Sequence, residues 1–270
     1  MKKIRFAVWF TALLAVFTFS SCLDSENGGQ RQGTEIVKVA GMMGMYSFHS
    51  ASGFELIPSN MSQITMNIDT QYALITYSYD SGQVTETTKK VPVEVYSILP
   101  IESRYPNPSL DGMKEFANAP VCAISAGNSM SYFPISFWDA ENMFLPIYYY
   151  IKDVSNKDDM TKELNSHHFE LYYDVNDENA MEDELVIYVR HNVADPSLNK
   201  DRKGKYNLNI YHVNLMQIVS EFEREKGTKP SKLLVKYEEN NSTGEYDPHY
   251  VMEGKAEVDY SYILKNFQKK

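Results

Sequence analysis

Apolar and polar side chains alternate through run after run of this chain, and that period of two limits its fold more than any other feature. Successive side chains of a strand point to opposite faces, so alternation marks a strand with one face turned to a core. The pattern is sharpest in Glu184–Leu215, which reads as two half-buried antiparallel strands joined by a long charged connection, a central hairpin. Leu185, Ile187 and Val189 share one face of the first strand; Tyr206, Leu208 and Ile210 share one face of the second. Upstream, Ala119–Ser125 and Met143–Lys152 precede a charged loop at Asp153–Lys162, and Phe169, Leu171, Tyr173 and Val175 then fall on one face. Downstream, Leu233, Val235 and Tyr237 alternate with Lys232, Leu234 and Lys236, and a last strand turns Ala256, Val258, Tyr260 and Tyr262 inward. One helix interrupts the strands. Leu215, Ile218, Val219 and Phe222 recur at helical spacing within Val213–Lys226, with Asn214 as N-cap and Gly227 as stop.

The first half carries shorter segments. Ile36–Ala40 and Met45–His49 lead into a turn at Ala51-Ser52-Gly53, from which Phe54–Ile57 pairs back as a hairpin. Tyr72–Tyr79 and Val91–Leu99 are longer, and Val91, Val93 and Val95 share a face. Pro92 has no N–H to give a ladder, so its strand is expected to have a free edge there. Five short strands fit a small OB-type barrel, with an open sandwich as the competing reading. The expected fold is all-β: a small OB-like barrel over 35–103, a linker over 104–118 marked by prolines, and an antiparallel β-sandwich over 119–265 carrying one short helix. Residues 266–270 form a tail.

Residues 1–21 are set apart from the fold as a signal peptide. Lys2, Lys3 and Arg5 precede an apolar run from Phe6 to Phe19, too short for a helix that crosses a bilayer, which needs about 20 residues. The run ends in Phe19-Ser20-Ser21-Cys22, the arrangement of a lipobox, so Cys22 is the expected lipidation site. Residues 22–34 read as the lipidated cysteine and a flexible polar tether. Cys122 is then the one cysteine left, which leaves no internal disulfide and suits a small buried residue. Removal of Lys2, Lys3 and Arg5 with the signal takes the formal charge from −10 to −13. An acidic body without a basic footprint argues against a nucleic-acid partner and against docking on anionic lipid through a polybasic patch.

The chemistry-bearing residues form no recognised catalytic motif. There is no His-Glu-x-x-His, no close cysteine pair, no nucleophile elbow and no phosphate-binding glycine loop. His167 and His168 are neighbours and point to opposite faces of a strand, while His49, His191, His212 and His249 lack ligand spacing. No metal, no cofactor and no enzymatic activity is expected. Arg190, His191, Asn192 and Asp195 remain as candidates. An Arg fork beside His and Asn could bind a carboxylate or sugar hydroxyls. As structure, Arg190 would pair with Asp195 or Asp201 while Asn192 caps the turn.

With these residues in place, the chain resembles the NigD-like lipoproteins. The resemblance covers the whole architecture and is most specific in Leu185–Leu208, where an aliphatic strand runs into Arg190-His191-Asn192, then Asp195, a basic loop and Gly204. Cys22-Leu23-Asp24 matches the usual start of the mature chain. This chain departs in having Asp24-Ser25-Glu26 for an Asp-rich run and Asn207–Ile210 for a Ser-Phe-Asp-Leu-like strand. The resemblance implies an OB-like domain, a β-sandwich and a lipid anchor, and it carries no reaction. The expected role is a non-enzymatic binding or accessory lipoprotein of the cell envelope. The lipid on Cys22 would hold it to the outer membrane, facing the periplasm or the surface, with a protein or glycan partner. The alternatives are an immunity-type protein that intercepts a bacteriocin or toxin, and a hydrolase with an unrecognised carboxylate pair.

Overall fold

The computed structural model describes residues 29–42, 45–60, 62, 68–85, 87–127, 133–202, 205–240 and 251–267. The signal peptide, Cys22, the first part of the tether, Gly204 and His249 lie outside them. The fold is all-β, as the alternation predicts, with half of the chain in strands. It divides into two compact units between Glu102 and Ser103.

The first unit is a closed barrel of β1 (Gln30–Met42), β2 (Met45–Ser50), β3 (Glu55–Pro58), β4 (Tyr72–Asp80) and β5 (Lys90–Arg104). Strand β1 pairs antiparallel with β2 and β4, β2 with β3, and β4 with β5; a parallel β3–β5 ladder closes the ring. Val91, Val93 and Val95 point into the barrel with Val37, Phe48, Leu56 and Ile75. Pro92 pairs with β3, and the ladder to β4 begins at Glu94, so its missing N–H costs no bond on that side. Glu35 is buried in the wall, where its carboxylate accepts the Tyr77 hydroxyl at 2.6 Å and the Ser50 hydroxyl at 2.5 Å. The segment read as tether is shorter than expected. Gln30–Thr34 is strand, paired with Asp80–Thr76. It shows no alternation because Gly33 stands where a side chain would, and a Cβ there would meet the Tyr77 ring at 3.0 Å.

The second unit holds β6 (Ser136–Phe137), β7 (Asn142–Tyr150), β8 (His167–Tyr173), β9 (Glu184–Val193), β10 (Tyr206–Asn214), β11 (Lys232–Asn240) and β12 (Val251–Asp259). Its helices are α1 (Met113–Phe116), α2 (Lys157–Asn165), α3 (Met216–Lys226) and α4 (Tyr260–Phe267). Strands β10-β7-β6 face the sheet β12-β11-β9-β8 across one core, to which Leu145 and Ile147, Phe169 and Leu171, Ile187 and Val235 contribute. Each such side chain stabilises by roughly 1.5–3 kcal/mol when fully buried.

Several expectations need correction. Strands β9 and β10 form no hairpin: β9 lies between β8 and β11, whereas β10 pairs with β7 in the other sheet. The sandwich is also not wholly antiparallel, because β9 and β11 run parallel, with Leu185 beside Leu233. Strand β9 is buried on both faces rather than one, since Val186 and Tyr188 pack outward against Met113, Tyr172 and Leu234. Strand β10 turns Tyr211 and Val213 to the core, the opposite phase from Tyr206, Leu208 and Ile210. Asn207 and Asn209, which share the inward phase, hydrogen-bond to the Tyr149 and Tyr211 hydroxyls and so tolerate it. The segment read as linker is tied into the second unit through Asn107, which bonds the backbone of Leu171 and Tyr173.

One segment read as a loop and the end of one read as a strand are helices. Helix α2 replaces the charged loop: Asn156 caps it by accepting from the Asp159 N–H at 2.8 Å, and Asp158 and Asp159 suit the positive end of its dipole. Helix α4 replaces the end of the last strand, because the Asp259 carboxylate accepts from the Tyr262 N–H at 3.0 Å and turns the chain. Tyr260 is consequently buried and Tyr262 exposed. Helix α3 keeps its apolar face and its stop at Gly227, φ +76°, but starts later than expected: Val213 and Asn214 end β10 and Leu215 is the N-cap, while the Asn214 side chain accepts from the Met216 N–H.

Val258 pairs with Leu233 and packs on the core, whereas Glu257 faces Lys232 at 3.5 Å on the exposed side. Val258→Asp should destabilise the protein by more than about 3 kcal/mol and Glu257→Ala by less than ~0.5 kcal/mol. Equal thermal midpoints for the two variants would overturn the register of β12.

Candidate functional site

The four candidates do not converge on one point. Arg190, His191 and Asn192 succeed one another on β9, so alternation sends Arg190 and Asn192 to one face and His191 to the other. The Asn192 amide donates to the Phe116 carbonyl at 2.6 Å and holds the end of α1. Asp195 folds back on Ser197, accepting from its N–H at 3.1 Å and its hydroxyl at 2.5 Å. The pairing of Arg190 with Asp195 or Asp201 does not form, because the outer face of β9 points away from that turn. Arg190 instead donates through Nη1 to the Val189 carbonyl at 2.9 Å and lies over the Tyr188 ring, 5.2 Å from its centroid. Arg202 reaches the turn in its place and donates to the Asp195 carbonyl at 3.0 Å.

His191 belongs to a buried polar chain. The β8–β9 register sets Phe169 opposite His191 and Val193 opposite His167, so the two histidines are diagonal neighbours on the core face. His191 Nδ1 lies 2.9 Å from the Pro120 carbonyl, and its Nε2 lies 2.9 Å from His167 Nδ1. His167 Nε2 then lies 3.2 Å from Glu163 Oε1, which also accepts Arg202 Nε at 2.7 Å and the Lys152 N–H at 3.1 Å. The Phe169 ring stacks on His191 at 4.4 Å and Tyr149 packs on His167 at 4.7 Å.

Proton counting orders this chain. A carbonyl only accepts, so His191 Nδ1 carries a proton and its Nε2 accepts from His167 Nδ1. Two neutral imidazoles therefore bring two protons to three links, and the link to Glu163, the longest, goes without. Burial lowers the pKa of His191 to about 3 and that of His167 to about 4, the latter against the pull of Glu163. Burial works against the Glu163 carboxylate too, but bonds from Arg202 and the Lys152 N–H outweigh it and hold its pKa below the usual range. His167 and His191 are at most 7% exposed, so the cluster is a polar core closed off from solvent.

The opposite face of β9 is different. There a cavity of about 630 Å³ opens between the Leu110–Glu115 segment and the outer face of the sheet, with Tyr188, Arg190 and Lys236 at its base. Tyr188 stands beside Lys236 in the parallel β9–β11 register, and the Lys236 Nζ lies 5.6 Å from its ring centroid. The Tyr188 hydroxyl donates to Asp177, and burial together with that carboxylate pushes the phenol pKa up. Glu163, His167, Arg202 and Lys236 were all missed as a site from sequence. One signal was available: His167 shares the phase of Phe169 and Leu171, which marks it as inward-facing. Among the described residues, no group of three or more His, Cys, Asp or Glu is placed to hold a metal ion. Cys122 is half-buried.

Neither a family model nor a curated protein matches the chain. Among solved structures, a protein named as a lipoprotein of Bacteroides fragilis shares the fold, with a TM-score of 0.70 and 24% identity over 85% of this chain and 98% of that one. A NigD-like immunity protein from Bacteroides caccae aligns with a TM-score of 0.48 and 15% identity over 82% of this chain and 90% of that one. The likeness to the Bacteroides fragilis structure is one of fold.

Removing one partner from a buried ion pair leaves the other uncompensated, so Glu163→Gln should cost about 3–5 kcal/mol in chemical denaturation. The histidines add a pH dependence. They stay neutral in the folded state while the unfolded chain titrates near 6.5, so acid favours unfolding. Stability should be full above pH 6.5 and fall toward pH 4 by up to about 1.4 kcal/mol per histidine per pH unit. Glu163, held low, adds its own loss only below about 4.5. Thermal midpoints read from pH 7.5 to 4.5 check this, and a flat profile would contradict the neutral pair.

Proposed function

We propose that this protein is a lipid-anchored envelope lipoprotein whose folded body binds a partner and performs no catalysis. The observation that carries the reading is the division of β9. The side chains suited to proton transfer, His191 with His167 and Glu163, are sealed in the core, whereas Arg190 on the other face lines an open cavity. The signal architecture and Cys22 support anchorage through a thioether lipid at the outer membrane, with the body facing the periplasm or the surface. The name of the Bacteroides fragilis structure supports the same anchorage. A protein or glycan is the proposed partner. An immunity-type role is one form of this reading, favoured by the charge of −13, since an acidic body steers a basic toxin toward it.

Cys22→Ser should abolish incorporation of radioactive palmitate and move the protein from the membrane to the soluble fraction. Unchanged membrane association would overturn the anchor. The released body, immobilised, should retain a protein or glycan from envelope extract in a saturable way. An extract that passes unretained would overturn the binding reading.

A further inference from the structure

We infer that the cavity beneath the Leu110–Glu115 segment is a carboxylate-binding site, with Arg190 as its principal anion-binding group and Lys236 as the second cation. The inference rests on the binding reading above and names the chemistry of what is bound. Arg190 is 7% exposed, and no carboxylate among the described residues pairs with it. Its Nη1 is committed to the Val189 carbonyl, while its Nε is buried without an acceptor. The free edge of the guanidinium is thus the one formed by Nε and the adjoining Nη2. Nε is sealed from solvent, so a small turn of the side chain toward the cavity lets that edge take two carboxylate oxygens side by side, the geometry in which arginine binds carboxylates most specifically. A buried charged donor without an acceptor is unfavourable, and a ligand oxygen at this point relieves it.

The surroundings narrow the ligand further. Lys236 is in ion-pair contact with Glu253 at 3.6 Å, but its side chain is 12% exposed against 58% for Glu253. Arg190 and Lys236 therefore lie deep, while Asp111, Glu115 and Glu253, with Lys114 among them, make an exposed rim that is acidic on balance. One guanidinium edge and one partly neutralised lysine match a single negative charge. A dianion would place its second charge against the acidic rim. Leu110 and Met113 line the same space and offer contact to a short apolar body. The ligand class is a monocarboxylate on a neutral or cationic body, either a small molecule or the C-terminus of a peptide.

The test uses the full chain extracted in detergent and calorimetric titration with four probes: hexanoate, acetyl-Ala-Leu with a free carboxylate, acetyl-Ala-Leu amide, and succinate. Hexanoate or acetyl-Ala-Leu should bind, with the amide and succinate at least about tenfold weaker. Hexanoate binding as tightly as the peptide assigns the site to small monocarboxylates; tighter peptide binding assigns it to C-termini. Arg190→Gln should weaken binding by about tenfold or more. Should that variant fail to fold, Lys236→Gln supplies the test, with binding weakened at an unchanged thermal midpoint. Glu253→Gln, which frees Lys236, should tighten it. An amide that binds as well as the acid, no carboxylate binding up to roughly 10 mM, or folded Lys236→Gln with unaltered affinity would each overturn the assignment. Partner capture by the released body under those same outcomes would leave the binding reading standing and move it to another surface.

Discussion

A strand covered on both faces leaves its charged and polar side chains no solvent to retreat to, and β9 is such a strand. Its inner face joins the core between the sheets and its outer face lies beneath the Leu110–Glu115 segment. His191 answers the constraint with a carbonyl on one side and His167 on the other. Arg190 answers it only in part, with one backbone oxygen and an aromatic ring. Placement of the second unit's remaining elements depends on this central position. Strand β8 must run antiparallel on one side, β11 parallel on the other, and α1 must close over what is left. The parallel pairing in turn requires a long return path, which β10 and α3 supply.

Much of this was legible in residue alternation. The inward residues of β8 and β11 and the buried face of α3 follow directly from apolar spacing, because each has a polar or partly polar opposite face. The same signal misled where polar residues take inward positions. Asn207 and Asn209 share the inward phase of β10, satisfied by tyrosine hydroxyls that no local pattern announces. Strand pairing was less legible still. Two strands adjacent in sequence are ordinarily neighbours in space, yet β9 and β10 lie in different sheets, and only long-range register decides that. The candidate site suffered for the same reason. Glu163 lies just past a segment that reads as a charged loop, and Arg202 in a connection that reads as a basic loop, but tertiary packing brings them together.

The two units treat buried carboxylates differently. Glu35 in the barrel receives two neutral hydroxyls, which suffice for hydrogen bonding without a counter-charge. Glu163 receives a guanidinium and a backbone N–H, with the His167 imidazole beside it. A cation close by compensates the cost of a buried charge but makes each partner hostage to the other. Neutral donors distribute that dependence, since each supplies one bond of modest net value.

The same accounting separates structure from recognition in the second unit. Every donor and acceptor in the Glu163–His191 chain meets a counterpart in the protein, apart from the single proton short between Glu163 and His167. A network so nearly closed has nothing left to offer a ligand. Arg190 differs in kind, because it is left with an unpaired donor and lines a space large enough for a small molecule, within the usual span of about 300–1,000 Å³ for ligand pockets. Chemical richness along a sequence is therefore a poor guide to function here. Adjacent residues of one strand divide between a core that is finished and a surface that is not, and the unfinished side is where recognition has physical room to act.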